Sequence, residues 1–368
     1  MSRVALVSPY ALSVPGGVQE QVLAMSCELA RRDCDVLVVA PDSRDHVTYD
    51  TPARVERFGA RLSLPANGSK APLTLSVAAA RAARRTIEDF DPDVVHYHEP
   101  FAPLIGWSAL WRHRFAAVAT FHRSGPGPAL SLTRPLLAAL ASRLDVAAAV
   151  SSAAAATWAA AASISPVVVF NGFEAERFRA FAREAPEEVH VLFVGRLEER
   201  KGASDVVRAI QIHNATHPAA PWRLSIVGDG AQRAGLEELA RGDVRINLLG
   251  ALADADKRAL LRRSSVAVAA STHGESFGLV VLEPMASDVP VVASDIEGYR
   301  EAAKGHATLF RAGDPASLAE AIASALATAT PERLSAAHAH ALNWSMANLV
   351  DLYEDLYQRA RVHFSRVR

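Results

Sequence analysis

The sequence predicts an α/β protein with two domains, each built on a parallel sheet flanked by helices. Short runs rich in valine and alanine alternate with segments of helical periodicity, and parallel strands require helical connections. The chain has 368 residues, of which 50% are hydrophobic, enough for two domains with ample cores. A charged segment at 175–188 separates two halves with the same architecture.

The first domain is expected at residues 1–174. A helix follows its first strand, because Val18, Val22, Met25 and Leu29 recur at helical spacing. The Pro-Gly-Gly before this helix suits either an anion or sugar cradle, or an ordinary turn. The predicted strands are residues 4–7, 36–40, 94–97, 116–121, 147–150 and a run from 167.

The second domain is expected at 189–345, after a linker at 175–188. Its buried, β-branched runs predict strands at 189–194, 244–249, 265–271 and 289–294. The chain ends in a predicted helix rich in aromatic residues, which includes Tyr353 and Tyr357, and we assign 346–368 to this final element.

Composition argues against a nucleic-acid-binding, secreted or membrane-spanning protein. The net charge is −1 and the pI about 6.9, so no bulk electrostatic attraction to nucleic acid is expected. The only cysteines, Cys27 and Cys34, favour a reducing compartment. The first strand does not resemble a signal peptide, and the alanine-rich run at 153–162 is too short to span a bilayer. We expect a monomeric cytoplasmic protein, or one peripheral on the cytoplasmic face of the membrane.

The most informative segment carries Glu275 and Glu283, eight residues apart, between two predicted strands. Glu275 falls on a loop at the carboxyl edge of the sheet, and Glu283 inside the next helix. Gly274 and Gly278 allow backbone N–H groups to approach a ligand, and the helix start favours an anion. The alternative is a helix whose acidic first turn complements its dipole.

Lysine is rare here: Lys70, Lys201, Lys257 and Lys304 are the only ones among 39 basic residues. Lys201 closes a loop that begins with Gly195 and Arg196 directly after a predicted strand. Lys257 follows the loop after another strand. In a chain that otherwise uses arginine, a lysine at such a position marks either chance or a need for a compact ammonium, and the alternative is solvated surface lysine.

Polar residues end two strands of the first half. His96, His98 and Glu99 form a His-x-His-Glu cluster, which lacks the further ligands that a metal site requires. His122 ends the next strand as either a site residue or a satisfied loop histidine. Asp254 and Asp256 are expected at a helix N-terminus rather than at a metal site.

The Glu275–Glu283 pattern resembles the signature of retaining glycosyltransferases of family 4. The resemblance implies the GT-B fold, with two Rossmann-like doubly wound domains facing a cleft and a C-terminal helix that crosses back to the first domain. It implies a nucleotide-sugar substrate, no cofactor, no strict metal requirement, and retention at the anomeric carbon without a covalent intermediate. The catalytic residues that it implies are His122, Arg196, Lys201 and Glu275. The donor-binding residues that it implies are Gly17, Arg196, Arg200, Lys201, Leu252, Asp254, Lys257, Glu275, Ser276, Phe277, Gly278, Leu279 and Glu283.

The resemblance extends to the acceptor half, through Ser-Pro-Tyr, Val-Pro-Gly-Gly-Val-Gln, Asn-Gly-Ser, Val-His-Tyr-His-Glu-Pro and Ala-Thr-Phe-His. It is similar to members that transfer mannose from GDP-mannose to phosphatidylinositol at the inner membrane surface. On this resemblance Tyr10, Gln19 and Asn67 would line an inositol pocket, and Arg123 would stand in for a lysine that such members carry.

Departures from that pattern leave the acceptor open. Pro72 occupies the place of a basic residue that would meet the lipid phosphate, with Lys70 the nearest cation. Residues 74–90 offer a basic face of only Arg81, Arg84 and Arg85. The alternative is another nucleotide-sugar donor with a soluble acceptor, such as inositol phosphate or a saccharide, or another lipid. A non-enzymatic sugar-nucleotide binder would not need this set of charges, and a dehydrogenase would need a GxGxxG fingerprint that the chain lacks. Trp107 and Trp111 are expected to pack in the core, and the alternative is a position at the membrane interface.

Overall fold

The computed structural model describes most of the chain. The described residues are 2–14, 16–42, 48–60, 62–66, 69–102, 104–112, 114–125, 133–179, 188–275 and 278–367, with backbone alone for 63–66 and 69–72. They divide into two compact units, Met1–Phe173 with Met346–Arg368, and Glu174–Ser345.

The first unit is built on a parallel sheet of seven strands in the order β3-β2-β1-β6-β7-β8-β9, with a separate antiparallel hairpin, β4–β5. Valine, leucine and alanine dominate its central strands, which are buried on both faces, as a sheet covered by helices requires. The strands are β1 Arg3–Val7, β2 Asp35–Pro41, β3 Arg54–Phe58, β4 Leu62–Ala66, β5 Ser69–Leu73, β6 Val94–His98, β7 Ala116–Phe121, β8 Val146–Ala149 and β9 Val167–Val168. The helices are α1 Gly17–Arg31, α2 Val77–Phe90, α3 Ile105–Trp111, α4 Arg134–Ala141 and α5 Ser152–Ala162.

The second unit has a parallel sheet of six strands in the order β12-β11-β10-β13-β14-β15. Its strands are β10 His190–Val194, β11 Arg223–Val227, β12 Ile246–Gly250, β13 Val266–Ala269, β14 Val291–Ser294 and β15 Thr308–Phe310. Its helices are α6 Glu176–Arg179, α7 Ala203–Thr216, α8 Arg233–Leu239, α9 Asp254–Arg262, α10 Leu279–Ala286, α11 Glu297–Ala303, α12 Pro315–Ala327 and α13 Pro331–Leu342. The crossover β13–α10–β14 is therefore the predicted strand, loop, helix and strand around Glu275 and Glu283.

The final helix, α14 Met346–Val367, returns to the first unit, as predicted. It packs along β7 and α1 and buries Tyr353 and Tyr357. The Tyr353 hydroxyl lies 2.6 Å from Oγ1 of Thr120, and the Tyr357 hydroxyl lies 2.8 Å from Nδ1 of His96. These bonds satisfy polar atoms in an apolar interface, so α14 is an integral part of the first unit. No helix in the described part of the chain is both long and apolar enough to span a membrane.

The prediction of Trp111 as a core residue is wrong. Its side chain is 47% exposed at the end of α3, where the Arg143 guanidinium lies 4.6 Å from the ring centroid. Trp107, one turn earlier, is half-buried. The short helix α3 ends at Trp111, so the spacing of four residues does not carry both rings into the core.

Candidate active site

Glu275 lies on the loop between β13 and α10, at the carboxyl edge of the second sheet. Its Oε1 atom accepts hydrogen bonds from Nζ of Lys201 at 2.5 Å, from the Arg200 guanidinium at 2.9 Å and from Oγ of Ser271 at 2.9 Å. Burial opposes ionisation of the carboxyl, but the Lys201 charge and hydrogen bond, the Arg200 charge and the Ser271 hydroxyl lower the pKa of Glu275 overall. The structure thus brings together three of the residues predicted to bind the nucleotide-sugar donor, with Arg200 and Lys201 beside the ionised carboxylate of Glu275.

The loop after β10 carries the cations of this cluster. Residues Glu199–Lys201 form one 3₁₀ turn, followed by Gly202 at φ +71°. A Cβ atom on Gly202 would overlap the carbonyl oxygen of Ala270, so glycine allows this loop to lie directly against the end of β13. That close approach places Lys201 beside Glu275, 74 residues later in the chain.

Arg196, on the same loop, occupies a different position. Its guanidinium lies 2.5 Å from Oε1 of Glu198, and its side chain is 51% exposed. Glu198 also pairs with Arg200, at 3.2 Å. The structure therefore links Arg196 to the Glu275 cluster through Glu198 and Arg200.

A second charged cluster lies farther along the same unit. Nζ of Lys257 is 3.3 Å from Asp254 and 3.7 Å from Glu283, so three more predicted donor residues lie together. Asp254 is the first residue of α9, and Leu252 is half-buried just before it. Gly278 is buried next to α10, and Leu279, the first residue of that helix, is half-buried. The predicted donor residues Ser276 and Phe277 lie outside the described residues.

His122 follows β7 at the carboxyl edge of the first sheet. Its Nε2 atom is 3.1 Å from Nδ1 of His98, and the two rings stack at a centroid distance of 5.3 Å. The ring of His96 also stacks with that of His98, at a centroid distance of 4.4 Å. Burial lowers the pKa of His122 to about 3, and burial together with the His122 imidazole lowers that of His96 to about 3. Burial also lowers the pKa of His98 well below its usual value. All three rings are therefore neutral near pH 7.

Glu99 holds the main chain at His122. Its Oε1 atom accepts hydrogen bonds from the backbone N–H groups of His122 and Arg123, each at 2.5 Å. Burial raises the pKa of Glu99 to about 7, against the effect of these two bonds and the Arg123 charge. Sequence reasoning considered this residue only as a metal ligand, although its place after β6, next to His98, marks it as a strand-end carboxylate.

The predicted acceptor residues lie on three elements of the first unit. Tyr10 is half-buried after β1, where burial and the charge of Glu99 raise its pKa while Arg123 lowers it. Gln19 is buried in the first turn of α1, against Gly16. Gly17 is the first residue of α1, and a Cβ atom there would meet no atom of the described chain within 4 Å. Glu99 and Arg123 are thus close enough to Tyr10 for their charges to affect its pKa. Asn67 lies outside the described residues.

Comparison with known proteins defines the class. A family model described as glycosyl transferases group 1 matches residues 188–328, and one described as glycosyltransferase family 4 matches residues 15–177. With relatives above 30% identity along nearly the whole chain, this protein belongs to the family 4 glycosyltransferases.

Two curated relatives carry the same name. The phosphatidyl-myo-inositol mannosyltransferase of Mycobacterium leprae is 35% identical over 368 residues, covering 96% of this chain and 96% of that protein. The phosphatidyl-myo-inositol mannosyltransferase of Propionibacterium freudenreichii subsp. shermanii is 33% identical over 362 residues, covering 94% and 92%. Among solved structures, a glycosyltransferase from Rickettsia africae superposes with a TM-score of 0.75 at 16% identity, covering 98% of each chain. The fold is GT-B.

Proposed function

We propose that this protein is a retaining hexosyltransferase that moves mannose from GDP-mannose to phosphatidylinositol. The carboxylate–cation cluster of Glu275, Arg200 and Lys201 carries the proposal. Two cations at the carboxyl edge of a parallel sheet suit a diphosphate, and a buried, ionised carboxylate suits vicinal sugar hydroxyls. The similarity to two phosphatidyl-myo-inositol mannosyltransferases supports the choice of sugar and acceptor.

In this proposal the cations act on the leaving group. Negative charge grows on the diphosphate as the sugar–oxygen bond breaks, and Arg196, Arg200 and Lys201 stabilise that charge. The leaving phosphate oxygen takes the acceptor proton on the face from which it departs, so the anomeric configuration is retained. Lys257 and Glu283 bind the nucleoside, with Glu283 accepting hydrogen bonds from the ribose hydroxyls. His122 serves the transfer as a neutral hydrogen-bonding group.

The acceptor pocket is proposed at Tyr10, Gln19, Asn67 and Arg123. Phenol, amide and guanidinium groups suit the hydroxyls of a polyol and a neighbouring phosphate. Nε of Arg123 is buried and has no hydrogen-bond partner among the described residues, which leaves a donor for such a phosphate.

A screen of donors and acceptors tests this function. Purified protein is incubated with GDP-mannose, UDP-glucose or UDP-N-acetylglucosamine, and with phosphatidylinositol, inositol phosphate or simple sugars. We expect mannose transfer to phosphatidylinositol, with an α linkage by NMR. Transfer to soluble acceptors alone would show that the acceptor is a soluble molecule rather than phosphatidylinositol. An inverted linkage would contradict retention.

The two glutamates should affect different parameters. Glu275→Ala is expected to lower kcat without weakening GDP binding, because its carboxylate serves the sugar. Glu283→Ala should weaken GDP binding by about tenfold to a hundredfold, as the loss of hydrogen bonds to a charged group implies. Turnover assays and calorimetry measure both, and the exposed Glu320→Ala provides the control. A loss of affinity in Glu275→Ala alone would reverse the two assignments.

No metal ion should be strictly required, because the cations of the β10 loop supply the positive charge. Turnover in EDTA is expected to stay within about twofold of that in magnesium, a difference well under 1 kcal/mol. Activity that EDTA abolishes and magnesium restores would contradict this assignment.

We propose peripheral attachment to the cytoplasmic membrane face through α2 and α3. Arg81 and Arg85 are exposed on α2, whereas Arg84 is 21% exposed and lies 2.5 Å from Glu88. Exposed apolar groups accompany these arginines, and aromatic rings suit a membrane interface. Exposed apolar residues beside these arginines are Val77, Trp111 and Leu136.

Binding to vesicles should be weak and salt-sensitive. Each arginine near an anionic surface contributes about 1 kcal/mol, so Arg81→Glu with Arg85→Glu should weaken binding by about thirtyfold or more. Cosedimentation with phosphatidylinositol vesicles at low and high salt measures this, and Arg54→Glu, on the edge strand β3, is the matched control. Binding that salt leaves unchanged would exclude an electrostatic attachment.

A further inference from the structure

The two oxygens of the Glu275 carboxylate have unequal surroundings. Oε1 receives the three hydrogen bonds, from Lys201, Arg200 and Ser271. In the part of the chain that the structure describes, no donor reaches Oε2. Among the described residues, the carboxylate is therefore held through Oε1, while Oε2 has no donor.

Ser271 is the uncharged residue among these three donors, and its hydroxyl oxygen accepts a hydrogen bond from another buried residue. The Tyr299 hydroxyl donates to Oγ of Ser271 at 2.8 Å, and Oγ of Ser271 donates to Glu275 at 2.9 Å. Burial keeps the phenol protonated, because it raises the pKa of Tyr299. The single hydroxyl proton of Ser271 then points to the carboxylate, since the phenol occupies an acceptor site of that oxygen.

The rest of this relay is also fixed. Tyr299 and Ser271 are each 1% exposed, and Oγ of Ser294 donates to the main-chain oxygen of Ser271. Tyr299 lies on α11, where a Cβ atom on the preceding Gly298 would overlap the Glu275 carbonyl oxygen. Helix α11 thus reaches Glu275 twice, through the hydroxyl relay and through direct main-chain packing.

We propose that Tyr299 is a positioning residue that acts through Ser271 to hold the Glu275 carboxylate with Oε2 directed to the donor sugar. The inference rests on the proposed function. A bound diphosphate competes with Glu275 for Arg200 and Lys201, because both anions need the same cations. Ser271 carries no charge for the diphosphate to attract, so its bond persists and keeps the carboxylate in place as the sugar binds.

The test separates turnover from nucleotide binding. Tyr299→Phe removes one buried hydroxyl, and we expect kcat for mannose transfer to fall about tenfold while the Kd for GDP stays within about twofold. Ser271→Ala should produce a similar fall, and Ser271→Thr, which keeps the hydroxyl, should restore most of the turnover. The double variant Tyr299→Phe/Ser271→Ala should match Ser271→Ala alone, because both changes break one relay.

Matched controls and outcomes make the result decisive. Ser264→Ala removes another buried hydroxyl, which donates to the Leu260 carbonyl at the end of α9, and should leave kcat unchanged. If Tyr299→Phe has normal kcat while Glu275→Ala is inactive, the positioning role of Tyr299 is overturned but the proposed function stands. Equal losses of kcat and GDP affinity in Tyr299→Phe overturn it in favour of a purely structural role. Full activity in Glu275→Ala, or no transfer by the unmodified protein, overturns the proposed site or function, and this inference falls with it.

Discussion

Replacing Lys201 with alanine should lower turnover by about two to three orders of magnitude. Removal of one preorganised donor to developing charge typically costs about 3–4 kcal/mol of transition-state stabilisation. The structure adds a second consequence. Lys201 is 17% exposed beside Glu275, so its loss leaves a buried carboxylate with Arg200 as its remaining ion-pair partner.

Steady-state assays of the purified Lys201→Ala variant measure this effect. Arg241→Ala removes a cation that is 74% exposed and paired with Glu238 on the surface of the same unit, and should leave turnover unchanged. Raising the pH should not restore Lys201→Ala, because no titrating group replaces the ammonium. Near-normal turnover in the variant would remove Lys201 from the active site.

Acidification should destabilise the first unit through its buried imidazoles. Burial lowers the pKa of His96 and of His122 from 6.5 to about 3. Between these two pH values each imidazole is protonated in the unfolded chain and neutral in the folded chain. The stability from each histidine is complete above pH 6.5 and is lost as pH falls toward 3, at up to about 1.4 kcal/mol per pH unit. Glu99 acts in the opposite direction, because its raised pKa makes folding less favourable as pH rises from 4.5 to about 7.

Denaturant unfolding between pH 7.5 and 4.5 tests this expectation. The unfolding free energy should fall on acidification, since several histidines outweigh one glutamate below pH 6.5. His96→Gln keeps hydrogen-bonding groups for Tyr357 and Thr120 and should reduce the slope, whereas the exposed His217→Gln should not. A slope that is the same in His96→Gln and the unmodified protein would show that the buried ring takes up protons in the folded state.

Most strands of the two parallel sheets could be predicted from sequence, including the edge strands β9 and β12. Val36–Ala40 is an uninterrupted apolar stretch, and the run at 189–194 is apolar except for His190, since parallel strands are buried on both faces. Three strands of the two parallel sheets were not predicted, β3, β11 and β15. Strand β3 reads Arg-Val-Glu-Arg-Phe at a sheet edge, where charge is tolerated, and β15 has only three residues.

The site was predictable where residue type and loop position coincide. Lys201 and Glu275 each follow a strand of one parallel sheet, so their approach follows from topology once both strands are recognised. The position of Arg196 was not predictable, because its pairing with Glu198 depends on the local turn of the loop. Tyr299 was missed as well, since a buried phenol has no sequence pattern that separates it from an ordinary helix residue. Glu99 was recognised at a strand end but considered only as a metal ligand, because its bonds to the backbone of His122 and Arg123 depend on how β6 and β7 pack.

The sequence by itself determined the α/β class, the paired glutamates and the scarce lysines that mark the loops of the second sheet. These features follow from periodicity and residue chemistry, which are local properties of the chain. Only the tertiary structure decided which oxygen of Glu275 is occupied, and that Tyr299 stands behind Ser271. The reason is physical. A hydrogen bond requires a donor–acceptor distance that is correct to within a few tenths of an ångström, and only the packing of segments that are distant in sequence sets that distance.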